Sequence, residues 1–294
     1  MTQIDFSQLP EPSVIELIDY EVILADMLSD YADRMPDHTA LLESDPLYKQ
    51  FESAAYREML IRQRVNSGAL AVMLAYTTGN DLDHLAANLN VERKTITPAD
   101  PDAVPPVAAV MEDDTTLKAR TQLALEAITT AGSKESYKFH AWNADNQVKD
   151  ASINSANPSE IDVYILAYAA DGSADQALID IVDTALDAEF VRPLGDQVTV
   201  QAATIQNFSV DATLVFRPGV GAAESLAAAE AALVLYLDSV HKCAEIAARS
   251  GIMAALSEPA GVMNVTLSSP AADIVCDFSQ APYCTGITLA EGSA

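Results

Sequence analysis

Four prolines, at 98, 101, 105 and 106, crowd one stretch of small and acidic residues between Thr95 and Asp114. Each proline lacks the amide proton a helix needs and biases its predecessor away from helical backbone, so no helix passes through this stretch. The chain is thereby cut into two parts that fold on different patterns. We expect a semi-extended connector over 95–114, a helical part over 1–94, an α+β part over 115–250 and a C-terminal extension with short strands over 251–294.

Before the prolines, the apolar residues follow helical spacing. Ser13 and Glu16 form a capping box behind Pro12 and are expected to open a helix running toward Met35. Val14, Leu17, Leu24, Leu28, Tyr31 and Met35 recur in steps of three and four, with Glu21 intruding, and Ile15, Ile18, Val22 and Ala25 widen the stripe. Asp45-Pro46 opens a second long helix toward Tyr76, Gly79 stops it, and a shorter helix spans 81–89. Three helices with so wide an apolar face make a thin core, which calls for helices from another chain. Leu17, Leu24, Leu28, Tyr31, Met35 and Phe51 are the positions expected to meet a partner. Periodicity assigns them equally well to core within the chain.

Beyond the prolines the periods mix. Thr115 or Thr116 starts a helix that ends near Gly132, and Ser133 to Ala144 forms another, carrying the single tryptophan. Strands over 147–155 and 161–168 flank an Asn157-Pro158-Ser159 turn, a helix follows over 173–190, and two strands run over 197–203 and 205–216. A long helix over 221–249 precedes strand-like segments at 262–267 and 283–289. The fold class is α+β: an N-terminal long-helix bundle followed by antiparallel sheet units with packed helices.

Signals of catalysis are absent from this pattern. No two of the four histidines, His38, His84, His140 and His241, share a metal-binding spacing, and the turn His241 to Glu245 reads as a surface contact. Gly219-Val220-Gly221 lacks the third glycine of a dinucleotide fingerprint and reads as a strand-to-helix turn. Nucleophile-elbow, phosphate-loop and zinc-helix motifs do not occur. We therefore expect no catalytic, cofactor or metal residue and no cofactor, the rival being an enzyme with an unrecognised carboxylate pair in a sheet-helix cleft. The formal charge of −27, from 16 Lys+Arg against 43 Asp+Glu, argues against nucleic acid and membrane surfaces as partners. Cys243, Cys276 and Cys284 form no CxxC pair and are expected to be reduced, and the N-terminus has no signal-peptide pattern.

The segments Tyr137-Lys138-Phe139-His140-Ala141-Trp142, Gln147 to Ala151 and Val191-Arg192-Pro193-Leu194-Gly195-Asp196 running into Gln197 to Val200 resemble the baseplate J-like family of contractile phage tails. So do Pro259-Ala260-Gly261-Val262 and the stretch from Ala271 through Cys276 to Cys284. The likeness spans nearly the whole chain, with Arg192, Pro193, Leu194, Gly195 and Asp196 its most specific block. Turn chemistry assigns Arg192 and Asp196 to fixing that turn rather than to meeting another chain. The resemblance implies a structural wedge subunit of the baseplate ring. It would join a second copy of itself and a smaller tail protein through its N-terminal helices, and reach neighbouring wedges, the hub and sheath-proximal proteins through its α+β parts. The implied location is the tail baseplate of a phage or phage-tail-like particle, after synthesis in the host bacterial cytoplasm. The alternative is a cytoplasmic helix-binding adaptor or assembly factor that never enters a particle.

Overall fold

The computed structural model describes the chain except for residues 1–4, 11, 39–40, 129–131, 170, 189–190, 218–220 and 293–294. Among the described residues the chain divides into two compact units, residues 1–93 with 113–122, and 94–112 with 123–294. Gly219 and Val220, part of the segment read above as a strand-to-helix turn, lie outside the described residues, as does the end of the expected helix at 190.

The first unit is helical. α1 (Tyr20–Arg34) and α2 (Pro46–Ala71) form an antiparallel hairpin closed by Ile23, Leu24 and Ala55, with Ile18, Tyr20, Met27, Leu28, Tyr48, Phe51 and Met59 packed around them. The helix does not begin at Ser13 as the capping box suggested. Asn66 on α2 accepts from the Glu16 amide at 3.2 Å and donates to the Glu16 carbonyl at 2.8 Å, so that segment is tied to the neighbouring helix and not to its own next turn. Asp19 is the working cap, its carboxylate accepting from the Glu21 amide at 2.9 Å. α3 (Gly79–Ala87) and α4 (Asp114–Leu123) bury Leu82, Ala86 and Leu117. Arg93 joins them, 2.7 Å from both Asp83 and Asp114.

The second unit begins where the prolines lie. β1 (Thr95–Thr97) and β2 (Val110–Met111) pair as antiparallel strands, and Asp100 and Val107 exchange backbone hydrogen bonds within the loop between them. Buried Lys94 donates to the carbonyls of Trp142, Asp145 and Val148, covering the C-terminal end of α5 (Lys134–Ala144) with the positive charge that end favours. β3 (Val148–Asn154), β4 (Glu160–Ala167), α6 (Gln176–Leu186) and β5 (Gln197–Ala202) follow. Leu178, Val182 and Leu186, spaced by four, give α6 its buried side.

Ala203 is the only residue between β5 and β6 (Thr204–Phe216), and the chain passes there from one sheet into the next. Phe208, Val210, Ala212, Leu214 and Phe216 alternate along β6 and face Ala229 and Leu233 of α7 (Ala222–Val240) and Ile252 and Leu256 of α8 (Arg249–Ser257). The helix expected over 221–249 stops at Val240, and a second helix, α8, begins only at Arg249. Between them Ala244 takes a φ of 62° and donates to the Gln280 carbonyl, and β7 (Ile246–Ala247) pairs with β9 (Ile274–Val275). β8 (Val262–Ser269) and β10 (Gln280–Glu291) flank β6.

The α+β class holds, with one difference of topology. Each three-stranded sheet mixes one antiparallel pair, β3–β4 or β6–β8, with one parallel pair, β4–β5 or β6–β10. The reason in the first sheet is α6, which carries the chain back across the sheet before β5 and so makes a hairpin between β4 and β5 impossible.

Candidate interaction surfaces

The six positions expected at a partner interface part company in the structure. Leu17 is 101% exposed and Met35 51% exposed, whereas Leu24 is 5% exposed and sits in the α1–α2 core. Leu28 and Phe51 pack against that core, and Tyr31 meets Phe51 with ring centroids 5.3 Å apart while its hydroxyl bonds His38 Nδ1 at 2.6 Å. Other apolar residues exposed on the hairpin are Val22 of α1, which the widened stripe included, and Tyr56, Leu60, Ile61 and Val65 of α2, with Val72 just beyond, which the spacing argument passed over. Their signal in the sequence is a second apolar row on α2 that the arginines at 57, 62 and 64 interrupt.

The Arg192–Asp196 block is a turn held from several sides. The Arg192 guanidinium donates to the Asp196 carbonyl at 2.7 Å and pairs with Asp187 at 2.9 Å, and the Asp196 amide donates to the Pro193 carbonyl. The Asp196 carboxylate accepts from the Tyr137 hydroxyl at 2.9 Å, and burial together with that carboxylate raises the Tyr137 pKa. Gly132, at φ 67°, leaves the room this turn needs, since a β-carbon there would stand 2.8 Å from Pro193 Cγ. Leu194 projects fully into solvent, and Gly195 has open space around it.

A cavity of about 400 Å³ between α7 and β10 is lined by Glu230, Asp238, His241, Tyr283 and Cys284 among others. Burial and the nearby Lys149 push the His241 pKa down to about 4, which keeps its ring neutral, and Lys149 is itself held 2.7 Å from Asp238. The carboxylates with shifted pKa values point away from acid catalysis. Burial would raise Asp113, yet hydrogen bonds from Thr116 and Thr115 outweigh it and lower the value, and the Gly79 amide with Arg93 lowers that of Asp114. Burial pushes the Cys243 thiol up, away from nucleophilic character. Among the described residues, no group of three or more His, Cys, Asp or Glu is placed to hold a metal, and no helix is long and apolar enough to cross a membrane.

Comparison with known proteins bears on the family of the chain. The baseplate J-like N-terminal domain model matches residues 43–100, the central domain model 129–202, and the C-terminal domain model 208–290. Baseplate protein J of Escherichia phage P2 is 42% identical over 301 residues, covering 100% of this chain and 99% of that protein. Among solved structures, a chain of the anti-feeding prophage baseplate, determined by cryo-electron microscopy with six-fold symmetry, aligns at 12% identity with a TM-score of 0.32. That alignment covers 93% of this chain and 54% of the other. With three consecutive domain models and a full-length relative in agreement, the chain belongs to the baseplate J-like family.

Proposed function

We propose that this protein is a structural, non-catalytic subunit of the baseplate wedge in a contractile phage tail or phage-tail-like particle. The observation that carries the reading is the 42% identity to phage P2 baseplate protein J along the whole length of both chains. In this reading the helical part, 1–94, joins a second copy and a smaller tail protein, with exposed Leu17 and Met35 at the contact and Leu24, Leu28, Tyr31 and Phe51 supporting the helices from inside. The segment 95–114 separates that part from the α+β residues 115–250 and the extension 251–294, which reach neighbouring wedges, the hub and sheath-proximal proteins. Contacts within a wedge are apolar and lasting, and those between wedges are smaller and polar, so that the ring opens when the sheath contracts.

The test is to sediment contractile particles from producing cells and quantify this chain against sheath and tube proteins by mass spectrometry. A fixed, low ratio to sheath is expected. Absence from intact particles refutes the reading and leaves a soluble adaptor or an enzyme in its place.

A further inference from the structure

The two outer edges of the sheet formed by β10, β6 and β8 are finished differently. At the end of β8 the Arg249 guanidinium donates to the carbonyls of Leu267 and Pro270, so two acceptors there are already taken. The first part of β10 is closed as well. The Gln280 carbonyl accepts from the Ala244 amide at 2.9 Å, and Pro282 has no amide proton to offer. The rest of that edge is open, since among the described residues β10 pairs with β6 alone. The Gly292 amide donates to the Leu214 carbonyl at 2.8 Å, and alternate residues of a parallel ladder turn both backbone groups to the same neighbour. Thr288 and Ala290 therefore face β6 with Gly292, and Ile287, Leu289 and Glu291 present their N–H and C=O groups to the free side.

A bare edge is normally guarded by a charge or a proline. From Tyr283 to Ala290 there is neither, in a chain of which 20% of residues are charged. The pairing register shifts between Cys284 and Gly286, and a β-carbon on Gly286 would meet nothing within 4 Å, so another backbone has room to approach there. The same stretch borders the cavity of about 400 Å³ between α7 and β10. Val234, half exposed on α7, lines it with Leu237 and Ile287 as apolar surface. Glu230 stands at the cavity and Glu291 at the end of the strand, each carboxylate without an ion pair among the described residues.

We propose that the free edge of β10 takes an extended, basic segment of another protein as an added strand, with one of its apolar side chains entering the cavity beside α7. The inference deepens the wedge reading, on which it rests for the presence of a neighbouring protein. Backbone hydrogen bonds to Ile287, Leu289 and Glu291 supply affinity, and the cavity selects the side chain, as strand addition at an edge allows. Charge chooses the occupant. Glu230 and Glu291 favour lysine or arginine, whereas a second copy brings the same carboxylates on a chain of net charge −27.

The test titrates the full chain into fluorescein-labelled nonapeptides and reads fluorescence anisotropy. The first peptide is valine with lysine at every third position, which places lysine on both faces of a strand in any register. The second has glutamate in place of lysine, and the third is the lysine peptide with every valine N-methylated, which removes amide protons from both of its edges. Binding of the lysine peptide is expected, weakened about tenfold or more by either change. Val234→Arg fills the cavity with a like charge and is expected to weaken binding as much, with circular dichroism checking that α7 persists. No binding of the lysine peptide, equal binding of the methylated or glutamate peptide, or indifference to Val234→Arg overturns the proposal. Self-association of the parent chain that Val234→Arg abolishes gives the edge to a second copy and overturns the choice of occupant. If the chain sediments with particles while the lysine peptide fails to bind, the edge assignment falls alone, whereas absence from particles removes the wedge reading whatever the peptide does.

Discussion

Asp150 offers a quantitative check on how the second unit is held. Its carboxylate on β3 is 4% exposed, pairs with Lys138 Nζ of α5 at 2.9 Å and accepts from the Cys243 amide, beyond the end of α7, at 3.0 Å. One side chain thus ties a strand, a helix and the loop after another helix. Burial opposes the Lys138 charge, but Asp150 outweighs it and raises the lysine pKa. Asp150→Ala leaves the ammonium without its counter-charge and the Cys243 N–H without an acceptor. Breaking a buried pair from one side costs about 3–5 kcal/mol. Lys138 is 30% exposed and recovers some hydration, so the low end, about 3 kcal/mol, is expected. Lys138→Met is expected to cost less, because the carboxylate keeps its bond to the Cys243 amide. Urea unfolding of the two single variants and the double variant gives the coupling, and a double variant less destabilised than the sum by about 1–3 kcal/mol is expected. Additive effects each below about 0.5 kcal/mol, the range of an ordinary surface change, would refute the reasoning.

Three further outcomes follow from the packing. Leu24→Ala removes a large share of a small core and is expected to destabilise the helical unit by about 2–5 kcal/mol, read as loss of helical circular dichroism at lower urea; an effect below about 0.5 kcal/mol would show that the hairpin is not held there. Gly251→Ala places a β-carbon 2.2 Å from Tyr236 Oη and is expected to cost about 1–3 kcal/mol, with the pairing Gly251→Ala/Tyr236→Phe recovering part of it in thermal melts. His241 has an ordinary pKa of 6.5 and a folded value of about 4, so the folded state favours the neutral ring. Stability of the second unit is therefore intact above pH 6.5 and falls as pH drops through the window to about 4, and His241→Gln is expected to flatten that part of the profile in denaturation curves taken at several pH values.

Long-range partners explain what the sequence did and did not disclose. The strand β6 was legible as a run of strand-forming residues, and the long helices because their apolar steps repeat over many turns. The true start of α1 was not, since a side chain 50 residues away, Asn66, takes the Glu16 backbone groups that a capping box would have used. The break between α7 and α8 was hidden for the same reason: the Cys243 amide bonds Asp150, 93 residues distant. The parallel pairings needed knowledge of where the strands β5 and β10 return. At the hairpin, a one-sided reading of periodicity found Leu24 and Leu28 but missed Ile61 and Val65, because an exposed apolar row broken by arginines has no period that distinguishes it from a solvated face.

The single residue between β5 and β6 has a mechanical consequence. A flexible linker there would have absorbed a pull as slack, but Ala203 donates its amide to the Ile165 carbonyl and Thr204 donates to the Ser279 carbonyl, so the crossing point is itself anchored on both sides. A tug on β10 directed along the strand loads its ladder with β6, from Gln280–Thr204 to Glu291–Leu214, in shear, which distributes the force over many bonds together instead of unzipping them one by one. The strain then continues through the covalent backbone into β5 and β4. A load along β10 is therefore shared by the backbone bonds of both sheets of the second unit and has no slack linker between them to take it up.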